Sequence, residues 1–278
     1  MLNIQTTGLK RKTIDKYYTR ESTVELCINL IKESVTIDKD RDIIIEPSAG
    51  NGSFISSIKT LANNYIFLDI EPDNPEIKCD DYLKFDFKSL ESFNRKHLIG
   101  NPPFGRQSSL AIKFIKKSCE YCDTISFILP KSFKKDSLKS RFSDYFHLIR
   151  EIDIPAESFI VNDKNYDVPC VFQIWEKKTH KRIVSKKLEP IGFKFVEQDE
   201  NPDIAFRRVG VYAGKIDTNT SDKSIQSHYF IKFCNKNDDI IEQLKNIVYD
   251  TDNTVGPKSI SKQELIRKFN ELISQSAC

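Results

Sequence analysis

Between residues 43 and 175, short apolar runs alternate with stretches whose apolar residues recur at helical spacing, and this alternation constrains the fold most. The runs at 43–45, 65–70, 98–99, 125–129, 148–154 and 168–175 have strand length and are bounded by turn residues. Helical patterns occupy 21–33, where Thr19 or Ser22 is placed to cap, and 53–61, 110–119 and 138–146. Strand–helix alternation of this kind predicts an α/β, Rossmann-like, doubly wound and mostly parallel sheet covered on both faces. No helical pattern separates the last two runs, so the final strand is expected to return antiparallel at the sheet edge. After Trp175 the basic run EKKTHKRIVSKK reads as a surface linker or hairpin. Short strands are expected at 193–196, 204–209, 211–216 and 229–233, and helices at 240–248 and 262–273, the last capped by Ser261. Two domains follow: 1–180, and a small α+β appendage, 181–278, with a role in recognising the substrate or target.

Composition excludes several classes. Of 278 residues, 39% are hydrophobic and 30% charged, the balance of a chain that buries a globular core. No run of eighteen apolar residues exists, so no membrane span is expected. The polar, basic lead-in over residues 1–19 lacks the apolar stretch of a secretion signal, which predicts a cytoplasmic or nuclear protein. The seven cysteines, at 27, 79, 119, 122, 170, 234 and 278, are odd in number and irregular in spacing, against a disulfide framework. Cys119 and Cys122 form a lone C-x-x-C without the second pair zinc needs, so no metal is expected. The net charge of +3 does not announce nucleic acid, so any phosphate contact must come from local clusters.

Two motifs carry chemistry. The first, DIIIEPSAGNGSF, is a strand, a glycine turn and a helix start. Gly50 and Gly52 let backbone approach a ligand closely. The turn is neither a dinucleotide fingerprint nor a phosphate loop, and Glu46 at the strand end repels phosphate while suiting an ammonium group. Asp69 ends the next strand, placed to bond ribose hydroxyls, with Glu71 competing for that role. Asp80 and Asp81 follow a third short strand, where a carboxylate accepts from an adenine amine. Glycine turn, ribose acid and base acid in this order suit an unphosphorylated nucleoside with an amino-acid end, such as S-adenosylmethionine. The bland alternative is a simple turn, which the two acids at these distances disfavour.

The second motif is N-P-P-F at 101–104. Asn101 offers an amide oxygen and Pro102 a backbone carbonyl, and Pro102 and Pro103 stiffen the pair. Two fixed acceptors gripping the hydrogens of an aromatic amine favour a tetrahedral nitrogen and stabilise developing positive charge. No general base is needed, because the proton leaves after alkylation. Phe104 offers a face for stacking on a base that is flipped out or already unpaired.

At these residues the chain resembles the class I adenine-N6 methyltransferases of the bacterial and viral type. E-P-S-A-G-N-G-S-F resembles their methyl-donor loop, N-P-P-F their (D/N/S)-P-P-(Y/F) tetrapeptide, and DKYYTRESTVELCINLI their opening Y-T-x segment. The resemblance covers roughly residues 15–176 in the family's linear order. It implies a donor pocket of Tyr18 (or Tyr17), Thr19, Glu46, Pro47, Ser48, Ala49, Gly50 and Gly52. Asp69, Asp81 and Asn101 would complete it, with Tyr82 or Ile70 flanking the donor adenine. It implies catalysis by Asn101, Pro102, Pro103 and Phe104 on N6 of adenine in DNA. The tetrapeptide also serves enzymes that methylate N2 of guanine in RNA or glutamine in release factors. An RNA-base or protein-glutamine methyltransferase is therefore the alternative, and a non-catalytic donor- or nucleic-acid-binding protein a third. For phosphate contact, Arg106 follows the tetrapeptide, and Lys131, Lys134 and Lys135, with Lys139 and Arg141, follow the fifth strand. Lys177, Lys178, Lys181, Arg182, Lys186 and Lys187 form a second cluster, and Arg207 and Arg208 lie in the appendage.

Overall fold

The computed structural model describes residues 17–161, 164–183, 186–249 and 258–276. Most of the polar lead-in, and Cys278, lie outside the described residues. The chain divides into two compact units, residues 1–182 and 183–278.

In the first unit, β1 (Tyr18–Thr19) leads into α1 (Glu21–Ser34), and β2 (Ile43–Glu46) into α2 (Ile55–Leu61). Then come β3 (Tyr65–Asp69), β4 (Lys78–Cys79), β5 (Lys96–Gly100), α3 (Ser109–Tyr121) and β6 (Thr124–Pro130). A four-residue helix, α4 (Asp136–Lys139), precedes β7 (Phe146–Asp153), β8 (Phe159–Val161), β9 (Lys164–Tyr166) and β10 (Cys170–Lys177). Seven strands form the central sheet in the order β4-β3-β2-β5-β6-β10-β7. The strands β2 to β6 are parallel. The chain winds outward through β3 and β4, then returns beside β2 with β5, so strand order reverses between β2 and β5. This is a Rossmann-like, doubly wound α/β arrangement.

Alternate side chains of the buried strands feed opposite cores. Ile44 joins Val24, Ile28 and Ile58 on the α1–α2 side. Ile43 and Ile45 join Ala111, Phe114 and Ile115 of α3 on the other. A strand buried on both faces needs apolar residues at every position, which explains I-I-I in β2.

Several expectations are corrected. The antiparallel strand β10 is not at the edge; it pairs with both β6 and β7, and β7 is the edge strand. The helix expected over 138–146 is reduced to α4. Phe142 instead stacks on Trp175 with ring centroids 4.1 Å apart. The carbonyls of Lys139, Phe142, Ser143 and Phe146 accept from the Arg182 guanidinium at 2.6–3.3 Å. A side chain from a distant segment thus satisfies the acceptors a helix would have used. Neither Thr19 nor Ser22 caps α1; Arg20 holds the cap position without a side-chain bond. Thr19 is extended in β1, and its hydroxyl is engaged elsewhere. A three-stranded sheet, β1-β8-β9, forms from segments without a strong sequence signal.

The second unit is an antiparallel sheet of β11 (Phe193–Val196), β12 (Ile204–Arg207), β13 (Ile216–Asp217) and β14 (His228–Phe233), in the order β11-β14-β12-β13. The helices α5 (Asp238–Lys245) and α6 (Lys262–Ser276) supply Leu244, Leu265 and Phe269 to a core with Phe206 and Ile231. Ser261 caps α6: its Oγ accepts from Glu264 N (3.2 Å), while Glu264 Oε2 accepts from Ser261 N (2.7 Å), a reciprocal capping box. The strand expected at 211–216 is mostly a turn between Gly210 and Gly214, both at positive φ, and only its end belongs to β13. Among the described residues no helix is long and apolar enough to cross a membrane.

Candidate active site

A cavity of about 280 Å³ opens at the C-terminal ends of β2, β3 and β5, where the strand order reverses. Open α/β sheets bind ligands at this position because diverging loops leave a crevice there. The size lies near the lower end of small-molecule sites, roughly 300–1,000 Å³.

The turn after β2 supplies the floor. Gly50 has φ +55°, and a Cβ there would lie 3.2 Å from the Tyr18 ring. Its N–H donates to Asp69 Oδ2 at 2.7 Å, and its carbonyl accepts from Asp73 N at 2.9 Å. The Tyr18 hydroxyl donates to Asp73. Strand β1, the glycine turn and the end of β3 are therefore tied together. Asp69 Oδ1 accepts from Glu71 N at 2.9 Å. An ionised carboxylate has about four lone-pair positions, so Asp69 retains capacity for further donors. Glu71 also lines the cavity, so both candidates for a ribose contact stand there.

Glu46 is the unusual group. Its side chain is buried and lines the cavity, yet Oε2 has no hydrogen-bond partner among the described residues. Burial first, and then the charge of Asp69, push its carboxyl up to about 8. A buried polar group without a partner is costly, so a cationic or donor group arriving in the cavity would relieve a standing penalty.

Asn101 follows β5, and its Nδ2 donates to Tyr17 O at 3.2 Å and Thr19 Oγ1 at 3.3 Å. The amide nitrogen is thereby engaged by Thr19 of β1 and by Tyr17, the residue just before it. Oδ1 has no partner among the described residues and Asn101 lines the cavity, so the side chain presents an acceptor there. The Asn101 carbonyl accepts from Ser48 Oγ at 3.1 Å, which joins the tetrapeptide to the glycine turn.

Of the residues singled out in the sequence, the cavity wall brings together Tyr18, Thr19, Glu46, Pro47, Ser48, Ala49 and Gly50 from the amino-terminal side. Asp69, Ile70, Asp81, Tyr82, Asn101 and Pro103 complete the set. Tyr17, the substitute for Tyr18, lines it too. Gly52, Pro102 and Phe104 lie outside the wall. A Cβ at Gly52 would meet Asn74 and Ile55, so that glycine serves turn closure. Phe104 is half-buried against the α1-side core, and its carbonyl accepts from Leu110 N at 3.1 Å. Tyr82 is buried, its hydroxyl bonded to Ser118 at 2.9 Å, so it serves the core as well as the wall. Asp81 accepts from Leu83 N at 2.9 Å, whereas Asp80 is paired with Lys78 at 2.8 Å. Sequence reasoning missed Leu110 and Phe114, which line the cavity from α3. Their i, i+4 spacing directly after the tetrapeptide was the available signal.

The basic residues fare unevenly. Arg106 is exposed beside the tetrapeptide. Lys131 and Lys134 both reach Asp153, at 3.7 and 2.6 Å, and Lys139 reaches Glu151 at 3.0 Å. Arg182 is committed to the carbonyl clamp, which removes it from the second cluster.

No family model matches the chain. It is similar to the ribosomal RNA small subunit methyltransferase A of Francisella tularensis subsp. tularensis, with 28% identity over 163 residues, 49% of this chain and 62% of that protein. For the subsp. novicida protein the values are 32% over 120 residues, 37% and 45%. The chain therefore spans about half to three-fifths of these curated relatives. Among solved structures, an rRNA methylase from Streptococcus thermophilus overlays with 14% identity and a TM-score of 0.39, covering 56% of this chain and 97% of that one. The N-methyltransferase NodS from Bradyrhizobium japonicum gives 9%, 0.37, 57% and 94%. The fold class rests on strand order, not on these overlays.

Proposed function

We propose that this chain binds S-adenosylmethionine in the cavity and methylates the exocyclic amine of a nucleic-acid base, N6 of adenine. The observation that carries the reading is the Asn101 amide, whose nitrogen is engaged by Tyr17 and Thr19 so that its oxygen is left for the cavity. An acceptor fixed in this way costs no reorganisation when it grips an amine hydrogen. The Pro102 carbonyl is the proposed second acceptor. Phe104 is proposed to contact the base after the loop adjusts, since it now packs beside the wall.

The residues fit the donor. Glu46 offers a buried, unpartnered oxygen to the ammonium, the Gly50 turn leaves room for backbone contact, and Asp69 has lone pairs for ribose hydroxyls. Asp81, with Ile70 and Tyr82, would border the adenine. Bound there, the donor supplies an electrophilic methyl group. The chain's own task is to orient the amine, hold its hydrogens and exclude water.

For the polymer, the tetrapeptide's resemblance supports DNA. The curated relatives, named as small-subunit ribosomal RNA methyltransferases, favour a second reading, an adenine in RNA. The second unit, 183–278, is proposed to help hold the polymer. The test is incubation with radiolabelled donor and, separately, duplex DNA, structured RNA and a release factor, followed by hydrolysis. Labelled N6-methyladenine, lost in Asn101→Ala while donor affinity persists, supports the reading. Label in glutamine, or in none of the three, overturns it.

A further inference from the structure

In the second unit, β12 and β13 are joined by residues 208–215, R-V-G-V-Y-A-G-K. Backbone bonds close this loop on itself. Arg207 N donates to Lys215 O and Gly214 N to Arg207 O, both at 2.8 Å, and Lys215 N donates to Tyr212 O at 3.1 Å. A separate segment braces it: Gly210 N donates to Lys258 O (2.9 Å) and Ile260 N to Arg208 O (2.8 Å). Gly210 and Gly214, at φ +99° and +100°, turn the chain. The braced loop leaves two consecutive apolar side chains in water, Val211 at 83% exposure and Tyr212 at 69%. The hydrogen-bonded frame thus holds both apolar side chains outward at the tip.

The tip has a cationic collar. Arg207 Nε donates to Val209 O at 3.1 Å, which fixes its guanidinium at the loop base. Arg208 lies over the Tyr229 ring, 5.4 Å from its centroid, and donates to Gln226 O at 2.6 Å. Lys215 and Lys258 are exposed on the two bonded segments. Among the described carboxylates close in sequence, Asp217 pairs with Lys223 at 3.0 Å while its charge also reaches Lys215, Asp203 lies 3.8 Å from Lys236, and Glu264 accepts from Ser261 N. Lys131 and Lys134, by contrast, make direct ion pairs with Asp153.

We propose that this loop docks RNA at an unpaired stretch, with Tyr212 stacked on an exposed base, Val211 beside it, and the collar on flanking phosphates. The inference rests on the nucleic-acid reading above, in its RNA form. Stacking needs an open base face, which RNA loops offer and a closed DNA duplex does not. Aromatic stacking tolerates any base and combines with phosphate contacts.

The test uses the full chain without methyl donor. Fluorescence anisotropy measures binding to an RNA hairpin with an adenine-rich loop, the DNA hairpin of the same sequence, and a fully paired DNA duplex. Tyr212→Ala should weaken binding to the RNA hairpin about fivefold or more, with Tyr212→Phe close to wild type. The salt dependence should be unchanged in Tyr212→Ala but shallower by about 1.4 in log–log slope when Lys215→Gln and Lys258→Gln are combined. Unchanged affinity of Tyr212→Ala for the RNA hairpin overturns the inference. So does an equal loss on the paired duplex or on the DNA hairpin. Wild-type protein that binds none of the three overturns the nucleic-acid reading itself. Binding without methyl transfer leaves the loop assignment standing and removes the enzymatic one.

Discussion

Asn101 donates an amide hydrogen to the Thr19 hydroxyl across 3.3 Å, joining the loop after β5 to strand β1, 82 residues earlier in the chain. The bond, with its companion to the Tyr17 carbonyl, decides which end of the amide faces the cavity.

Thr19→Val keeps the shape and removes that acceptor. The amide then loses one of two restraints on its orientation, a change of about 1 kcal/mol for a neutral hydrogen bond. Single-turnover methyl transfer should slow roughly five- to tenfold, while donor affinity by calorimetry stays near wild type. Thr19→Ser should recover most of the rate. A donor affinity that falls as far as the rate would show that Thr19 acts on the pocket, not on the amide.

Glu46 links donor binding to pH. Its carboxyl, raised from 4.5 to about 8, keeps a proton in the folded, ligand-free chain that the unfolded chain has already released. Stability of that form therefore falls as pH rises through this window. Melting temperature from pH 5 to pH 8 should decline more steeply in wild type than in Glu46→Gln. Donor affinity should run the other way, rising by up to about tenfold per pH unit below about pH 8 as the carboxylate forms, and flattening where the ligand's own amine deprotonates. A flat affinity profile between pH 6 and pH 7 would remove Glu46 from the ammonium contact.

Gly50→Ala places a β-carbon at φ +55° and 3.2 Å from the Tyr18 ring. The left-handed conformation alone costs an L-residue about 1–2 kcal/mol. Calorimetry should show donor affinity at least tenfold weaker, with a modest drop in melting temperature. Wild-type affinity in this variant would mean the turn does not form the donor floor.

Arg182→Lys should destabilise the first unit although it preserves charge. A planar guanidinium meets four carbonyls around the α4–β7 connection; an ammonium cannot match that fork. The loss expected in urea unfolding is about 2 kcal/mol or more, since a hydrogen bond to a charged group contributes about 1.5–3 kcal/mol. Equal stability of the two proteins would mean the clamp is not needed to hold the connection.

Much of the architecture was legible locally. The I-I-I-E run, the glycine turn and the following amphipathic stretch impose strand, bend and helix through nearest-neighbour sterics and periodicity, so β2 and α2 emerged within two residues of their expected bounds. The order of Glu46, Gly50, Asp69, Asp81 and Asn101 was also readable, because a parallel sheet brings successive strand ends to one edge. What depended on pairing between distant segments was not. Whether β10 lies at the edge or beside β6 depends on which strand offers the better-matched partner, and no local period records that. Residues 138–146 have a helical pattern but lose the helix to a guanidinium and a tryptophan more than thirty residues away. The same holds for the site's decisive details: that Glu46 Oε2 has no partner among the described residues and that Tyr17 and Thr19 engage the Asn101 amide nitrogen. Residue identity determined which chemical groups this chain brings to the cavity. Tertiary packing decided which of their lone pairs and protons remain free, because burial and hydrogen-bond competition are set by neighbours far away in sequence.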